Sequence, residues 1–213
     1  MPFFVAVHQE VQPERLDDML ATIRGDFATS RRTHPGRRTT RVFQRINYPT
    51  HLLAIGEWDT QADYERLRES DAYQLSTVRA DPPATIDYLK RLRYFARMSV
   101  APTVVASITV SAPRRHAEAL ESFMLGLVPR GVETASGLVA NEVYRIGEQP
   151  GRLLVVHSWR AIEDLERFRA RDRSAYVAGL QALDAAFVRM TGVMAVQFSR
   201  LENDDRARTV TPR

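Results

Sequence analysis

Five histidines (His8, His34, His51, His116 and His157), two tryptophans (Trp58 and Trp159) and the tyrosines Tyr64, Tyr73, Tyr144 and Tyr176 are the side chains that could move protons or hold a flat ring. A neutral imidazole accepts a proton near neutral pH, an indole makes an apolar wall, and a phenolic hydroxyl can donate to the oxygen of a quinone or phenol. The histidines form no metal-ligand motif such as H-E-x-x-H. The absence of cysteine excludes disulfides, iron–sulfur clusters, thiolate zinc sites and a cysteine nucleophile.

The charge balance narrows the partners. Over 213 residues, 30 basic and 26 acidic side chains leave +4, with Lys90 the one lysine, an excess too small to point to nucleic acid. Its densest local expression is Ser30 to Arg41 (SRRTHPGRRTTR), five arginines without an acid. Such a run reads first as a solvated loop after a helix end, and second as a mouth that draws in an anionic or phenolate-bearing substrate. No run approaches the roughly 20 apolar residues of a membrane span. The start MPFFVAVHQE has no cationic leader, so a cytoplasmic protein is expected.

What positions these side chains is a repeat. Displaced by 101 positions, Val42 to Trp58 falls on Val143 to Trp159 without a gap, with Val42/Val143, Pro49/Pro150, Leu52/Leu153, Leu53/Leu154 and Trp58/Trp159 identical. Phe3 to His8 falls on Val104 to Thr109, both rich in residues that favour strands. Pro13 and Pro113 each open a segment with helical apolar spacing. Two strands joined by a Pro-containing turn follow, then a second helix, which in the first copy starts with a Thr60–Asp63 capping box and runs on through Val78. Leu89 to Met98 and Val193 to Leu201 read as final strands.

Each copy is therefore β-α-β-β-α-β, an α+β, ferredoxin-like arrangement. The domains are expected at 1–98 and 104–201, joined by Ser99 to Thr103, with 202–213 a disordered tail. Two helices cover only one face of each sheet, so the other faces are expected to pack together as an intramolecular dimeric α/β barrel. This pseudo-dimer leaves further homo-oligomerisation open.

Glu57-Trp58, then Asp59 to Tyr64, then Glu69 to Tyr73, and in the second copy Ser158-Trp159 and Arg173 to Tyr176, resemble the antibiotic biosynthesis monooxygenase family of the dimeric α/β barrel superfamily. The resemblance covers nearly residues 3 to 201 as two tandem units. It implies a cofactor-independent monooxygenase that oxidises a polycyclic aromatic, polyketide-type intermediate with dioxygen, without metal or flavin. Other members degrade haem, act as polyketide cyclases or have no known activity, so a cyclase and a non-catalytic ligand-binding or scaffold protein remain alternatives. Where the quinone-forming branch has an asparagine four residues before its tryptophan, this chain has Ala54 and Val155; where the haem-degrading branch has a histidine, it has Arg68 and Arg169.

The catalytic candidates are then His157, which strand alternation places on the face of Trp159, and His8 on the first strand. Trp58, Trp159, Tyr64, Tyr73, Tyr144 and Tyr176 are the substrate-binding candidates, each also explicable as a core or half-buried aromatic.

Overall fold

The computed structural model describes residues 2–74, 82–148, 150–171 and 193–200. Residues up to Tyr88 make one compact unit and Leu89–Ser199 another.

In the first unit, β1 (Phe3–Glu10) pairs antiparallel with β3 (His51–Trp58), which pairs antiparallel with β2 (Arg37–Arg45) on its other side. Proline fixes the helix start: Pro13–Arg15 is a 3-10 turn that runs into α1 (Leu16–Thr33). The chain leaves α1 through Gly36 at φ 86°. Thr60 caps α2 (Gln61–Arg68), its hydroxyl accepting from the Asp63 amide while the Asp63 carboxylate accepts from the Thr60 amide. The helix expected to run on past Tyr73 instead breaks at Ser70. There the hydroxyl donates to Leu67 O at 2.7 Å and accepts from the Tyr73 amide, opening the short turn α3 (Asp71–Tyr73). Its continuation toward Val78 lies outside the described residues.

The second unit holds β4 (Thr85–Ala96) from Leu89 onward, β5 (Val104–Ser111), α4 (Ala117–Val132), β6 (Leu138–Ile146), β7 (Arg152–Trp159), α5 (Ile162–Arg171) and β8 (Val193–Arg200). Its strand order is β8-β5-β7-β6-β4, with each printed pairing antiparallel. Arg114–His116 repeats the 3-10 turn after Pro113. The strand expected at Leu89 to Met98 begins at Thr85 and ends at Ala96, and its Leu89–Ala96 portion pairs with β6 of the second copy. The boundary between compact units consequently falls inside β4, ahead of the Ser99 to Thr103 connection. The tail 202–213 lies outside the described residues.

Both copies share a device that the repeat alone did not disclose. Gly36 and Gly137, at φ 86° and 84°, lie against the Asp63 and Asp164 side chains, and a Cβ on either would come within 2.3 Å and 2.1 Å of a carboxyl carbon. The same glycine carbonyls accept from Asp59 and Arg160 amides, stitching β2 and β6 to the starts of α2 and α5. Gly137→Ala is therefore expected to lower unfolding free energy by about 1–3 kcal/mol from its backbone conformation alone, with the collision adding to it. Urea unfolding followed by circular dichroism measures this, and an unchanged midpoint would refute the close packing.

Candidate functional site

A cavity of about 250 Å³ opens in the first unit between the β1-β3-β2 sheet and helices α1 and α2. Strand alternation selects its floor. Val5, Val7 and Gln9 of β1 lie opposite Gly56, Ala54 and Leu52 of β3, and Thr40 and Val42 of β2 lie opposite Gly56 and Ala54. Met19, Thr22 and Ile23 of α1 and Tyr64 and Leu67 of α2 face them.

The back wall is aromatic. Trp58, almost fully buried, meets Tyr64 edge-on with ring centroids 5.7 Å apart. The Trp58 indole Nε1 lies over Gly56, where a Cβ would sit only 2.8 Å from it. Tyr64 also meets Tyr73 and Tyr88 edge-on at 6.2 and 6.1 Å. The Tyr64 and Tyr73 hydroxyls are 3.0 Å apart. Burial pushes both phenols above the ordinary tyrosine range, so both stay protonated at neutral pH and act as donors. One O–H is used in their mutual bond, leaving a second for a ligand.

Arginines at the edge are sorted by a β-bulge. Alternation counted back from Val42 and Thr40 would put Arg38 over the cavity, but the register shifts between Arg37 and Thr39 and sets Arg37 opposite Trp58. Arg37 lines the cavity, with Nε and one terminal nitrogen shielded from solvent. Arg38 instead binds Asp59 at 2.6 Å and Glu57 at 3.7 Å. The basic stretch is thus the end of α1 and the start of β2 rather than a solvated loop. His34 and Gln9 also line the cavity. Gln9 was not singled out in the sequence, His34 figured only as one of five histidines, and Arg37 only within the basic run.

At an offset of 101, the second copy has different side chains at the same positions. Ala106, Ile108, Val110, Leu120, Met124, Val143, Leu153, Val155, Trp159, Leu165 and Phe168 form one buried cluster, and they stand where Val5, Val7, Gln9, Met19, Ile23, Val42, Leu52, Ala54, Trp58, Tyr64 and Leu67 line the cavity. The decisive pair is Asn141–His157, in the register position of Thr40–Gly56. Both side chains are buried there, and Trp159 packs on Phe168 with centroids 5.1 Å apart. Neither amide atom of Asn141 nor the indole Nε1 of Trp159 has a hydrogen-bond partner in the structure.

The sequence-derived candidates therefore separate. Trp58, Tyr64 and Tyr73 come together at the cavity. His8 lies opposite Leu53, on the other face of β1 from Val7 and Gln9, with its ring 5.9 Å from His51. Burial lowers its pKa, partly offset by Asp87. His157 and Trp159 are in the packed interior of the second unit. Tyr144 is paired with Leu154, on the opposite sheet face from Trp159, and its hydroxyl donates to Glu142 at 2.6 Å. Tyr176 lies outside the described residues. Arg68 binds Glu65 at 3.2 Å and donates to the Tyr88 hydroxyl at 3.0 Å.

Burial pushes the His157 imidazole down to about 4. Between that value and about 6.5 the unfolded chain binds the proton and the folded one does not, so stability falls as pH drops through this window. Wild type should lose about 2 kcal/mol more than His157→Gln between pH 7 and pH 4.5. Urea titrations at the two pH values check this; equal losses would mean the imidazole is solvated.

Comparison with known proteins follows the same division. Residues 2–76 match the family described as antibiotic biosynthesis monooxygenase. No curated protein matches the chain by sequence. Among solved structures, an anthrone oxidase-like protein superposes with TM-score 0.71 at 12% identity, over 95% of this chain and 92% of its own. A candidate monooxygenase of Fusobacterium nucleatum gives 0.72 at 8% identity over 95% and 93%, and one of Lactobacillus acidophilus 0.68 at 8% over 95% of both chains. At such identities the likeness is one of fold. The match places an antibiotic biosynthesis monooxygenase domain in residues 2–76, the cavity-bearing copy.

Proposed function

We propose that the first copy is a cofactor-independent monooxygenase site for a flat aromatic phenol or anthrone, and that the second copy supports it structurally. The observation that carries this reading is the hollow in the first copy, with Trp58, Tyr64, Tyr73 and His34 in its lining. A sealed dry void costs about 24 cal/mol per Å³, on the order of 6 kcal/mol for this volume, and partial opening to water reduces that. At the matching positions the second copy has apolar residues such as Val110, Leu138 and Leu165, so the fold does not require the polar lining of the first.

A cavity of roughly 150 Å³ takes benzene, which scales this one to about two to three fused rings. The ring lies against Trp58, and the free O–H of the Tyr64–Tyr73 pair donates to its oxygen. His34 takes the proton that leaves the substrate, because it is the imidazole at the cavity. The electron-rich anion then reduces dioxygen, the two recombine as a hydroperoxide, and loss of water gives the carbonyl. In sum, a ring CH₂ and O₂ become C=O and H₂O, with no external reductant.

Metal-free protein incubated with an anthrone in air should form quinone with one O₂ consumed per product. His34→Gln should lower kcat by about 10²-fold and Ala54→Val, which copies Val155, should abolish binding while the fold persists. No acceleration over spontaneous oxidation with several anthrones would overturn the proposal, and conversion of a poly-β-ketone under nitrogen with loss of water alone would point to cyclisation.

A further inference from the structure

We propose that the aromatic wall of the first copy is also an electron path: Trp58, Tyr64 and Tyr88 carry a stray one-electron oxidation from the cavity to the surface, where Glu65 takes the Tyr88 proton. The oxidant is the aryloxyl radical that the proposed dioxygen chemistry leaves behind when its partner escapes before recombination. The role therefore rests on that reading, while the path itself does not.

Three observations carry the inference. The rings are continuous within one compact unit: Trp58 lines the cavity, its ring centroid lies 5.7 Å from that of Tyr64, and Tyr64 lies 6.1 Å from Tyr88. Phe3 packs on both tyrosines, at 6.1 Å and 5.5 Å. Electron transfer depends on orbital overlap, which falls steeply with distance, so rings in contact conduct where separated ones do not. The outer end also has a proton acceptor, and a phenol gives up its proton as it is oxidised. The Tyr88 hydroxyl donates to Glu65 Oε1 at 2.5 Å, and Arg68 donates to that hydroxyl at 3.0 Å and to Glu65 Oε2 at 3.2 Å. The Tyr64 hydroxyl is bonded instead to that of Tyr73, a neutral phenol and a far weaker base than a carboxylate. The Glu65 and Arg68 side chains are 29% and 40% exposed, so this end meets solvent. The chain also contains its own control. Leu165 stands where the first copy has Tyr64, and Trp159 packs on Phe168, whose ring gives up an electron far less readily than a phenol, so the fold does not require a phenol there.

The step balances in electrons and atoms. The aryloxyl radical in the cavity gains one electron and returns to the aryloxide. Tyr88 supplies that electron through the Tyr64 ring, and its O–H bond breaks as the proton passes to Glu65 Oε1. The products are the aryloxide, a neutral tyrosyl radical at Tyr88 and a protonated Glu65, with the total charge unchanged. A thiolate in solution then gives an electron to the tyrosyl radical, Glu65 returns the proton, and the oxidising equivalent leaves as a thiyl radical. Trp58 and Tyr64, buried at the cavity, are thereby spared covalent damage.

The test needs neither anthrone nor dioxygen. Azide radicals, generated by pulse radiolysis of the full chain in buffer saturated with nitrous oxide at neutral pH, take one electron from indoles. The indolyl absorbance should decay as tyrosyl absorbance rises, at a rate independent of protein concentration. Trp58→Phe should remove this phase although Trp159 remains, and Tyr88→Phe should slow it at least about tenfold. Glu65→Gln, which leaves every ring in place and removes the base, should slow it at least about threefold. It also serves as the second variant should an aromatic one fail to fold, with circular dichroism as the control. No concentration-independent transfer in wild type, or an unchanged rate in any folded variant of the three, would overturn the proposal. A chain that shows the transfer but oxidises no anthrone would sink the monooxygenase reading alone, and one that oxidises anthrone without the transfer would sink this proposal alone.

Discussion

One cross-strand pair governs what each copy can do. Directly opposed residues in an antiparallel ladder share a face and are separated by about 5 Å, so their summed side-chain volume sets how closely a helix can settle on the sheet. With Thr40 and Gly56 there is too little matter between strand and helix to fill the gap, and the indole of Trp58 spreads over the glycine. With Asn141 and His157 two larger side chains stand at that pair, both buried. The backbone register, the bulge and the positive-φ glycine are the same in both copies. What differs between the copies at this pair is side-chain bulk.

Polarity follows the same division. The first copy has Gln9, His34, Arg37 and Tyr64 where the second has Val110, Ala135, Leu138 and Leu165. Each exchange removes a group that would need a hydrogen-bond partner in a dry interior. The exceptions are Asn141 and His157, polar side chains buried in the second copy, where burial lowers the basicity of the imidazole.

Much of the fold was legible in the residues. Pro13 and Pro113, the Thr60–Asp63 box and the two strand pairs ending in tryptophan all have local causes, and local causes survive into the structure. Trp58 was legible as one of a repeat-related tryptophan pair, and Tyr64 and Tyr73 as tyrosines of the segment that follows it. Arg37 was not, since the bulge that turns it inward is set by pairing with β3, and strict alternation would have chosen Arg38. His34 was hidden for a related reason, in a run whose charge suggested solvent. The pairing of β4 with β6 joins residues some fifty positions apart and leaves no trace in hydropathy.

That pairing has a bearing on how the gene can be cut. A break at the short connection after Ser99, the natural place to separate two duplicated domains, would take Leu89–Ala96 away from the second copy. The backbone of β6 would then face water as an open ladder, the kind of edge along which chains stack into aggregates. Once a strand had been lent across the duplication, the two halves lost the freedom to part, and any later shuffling of this sequence had to move both together.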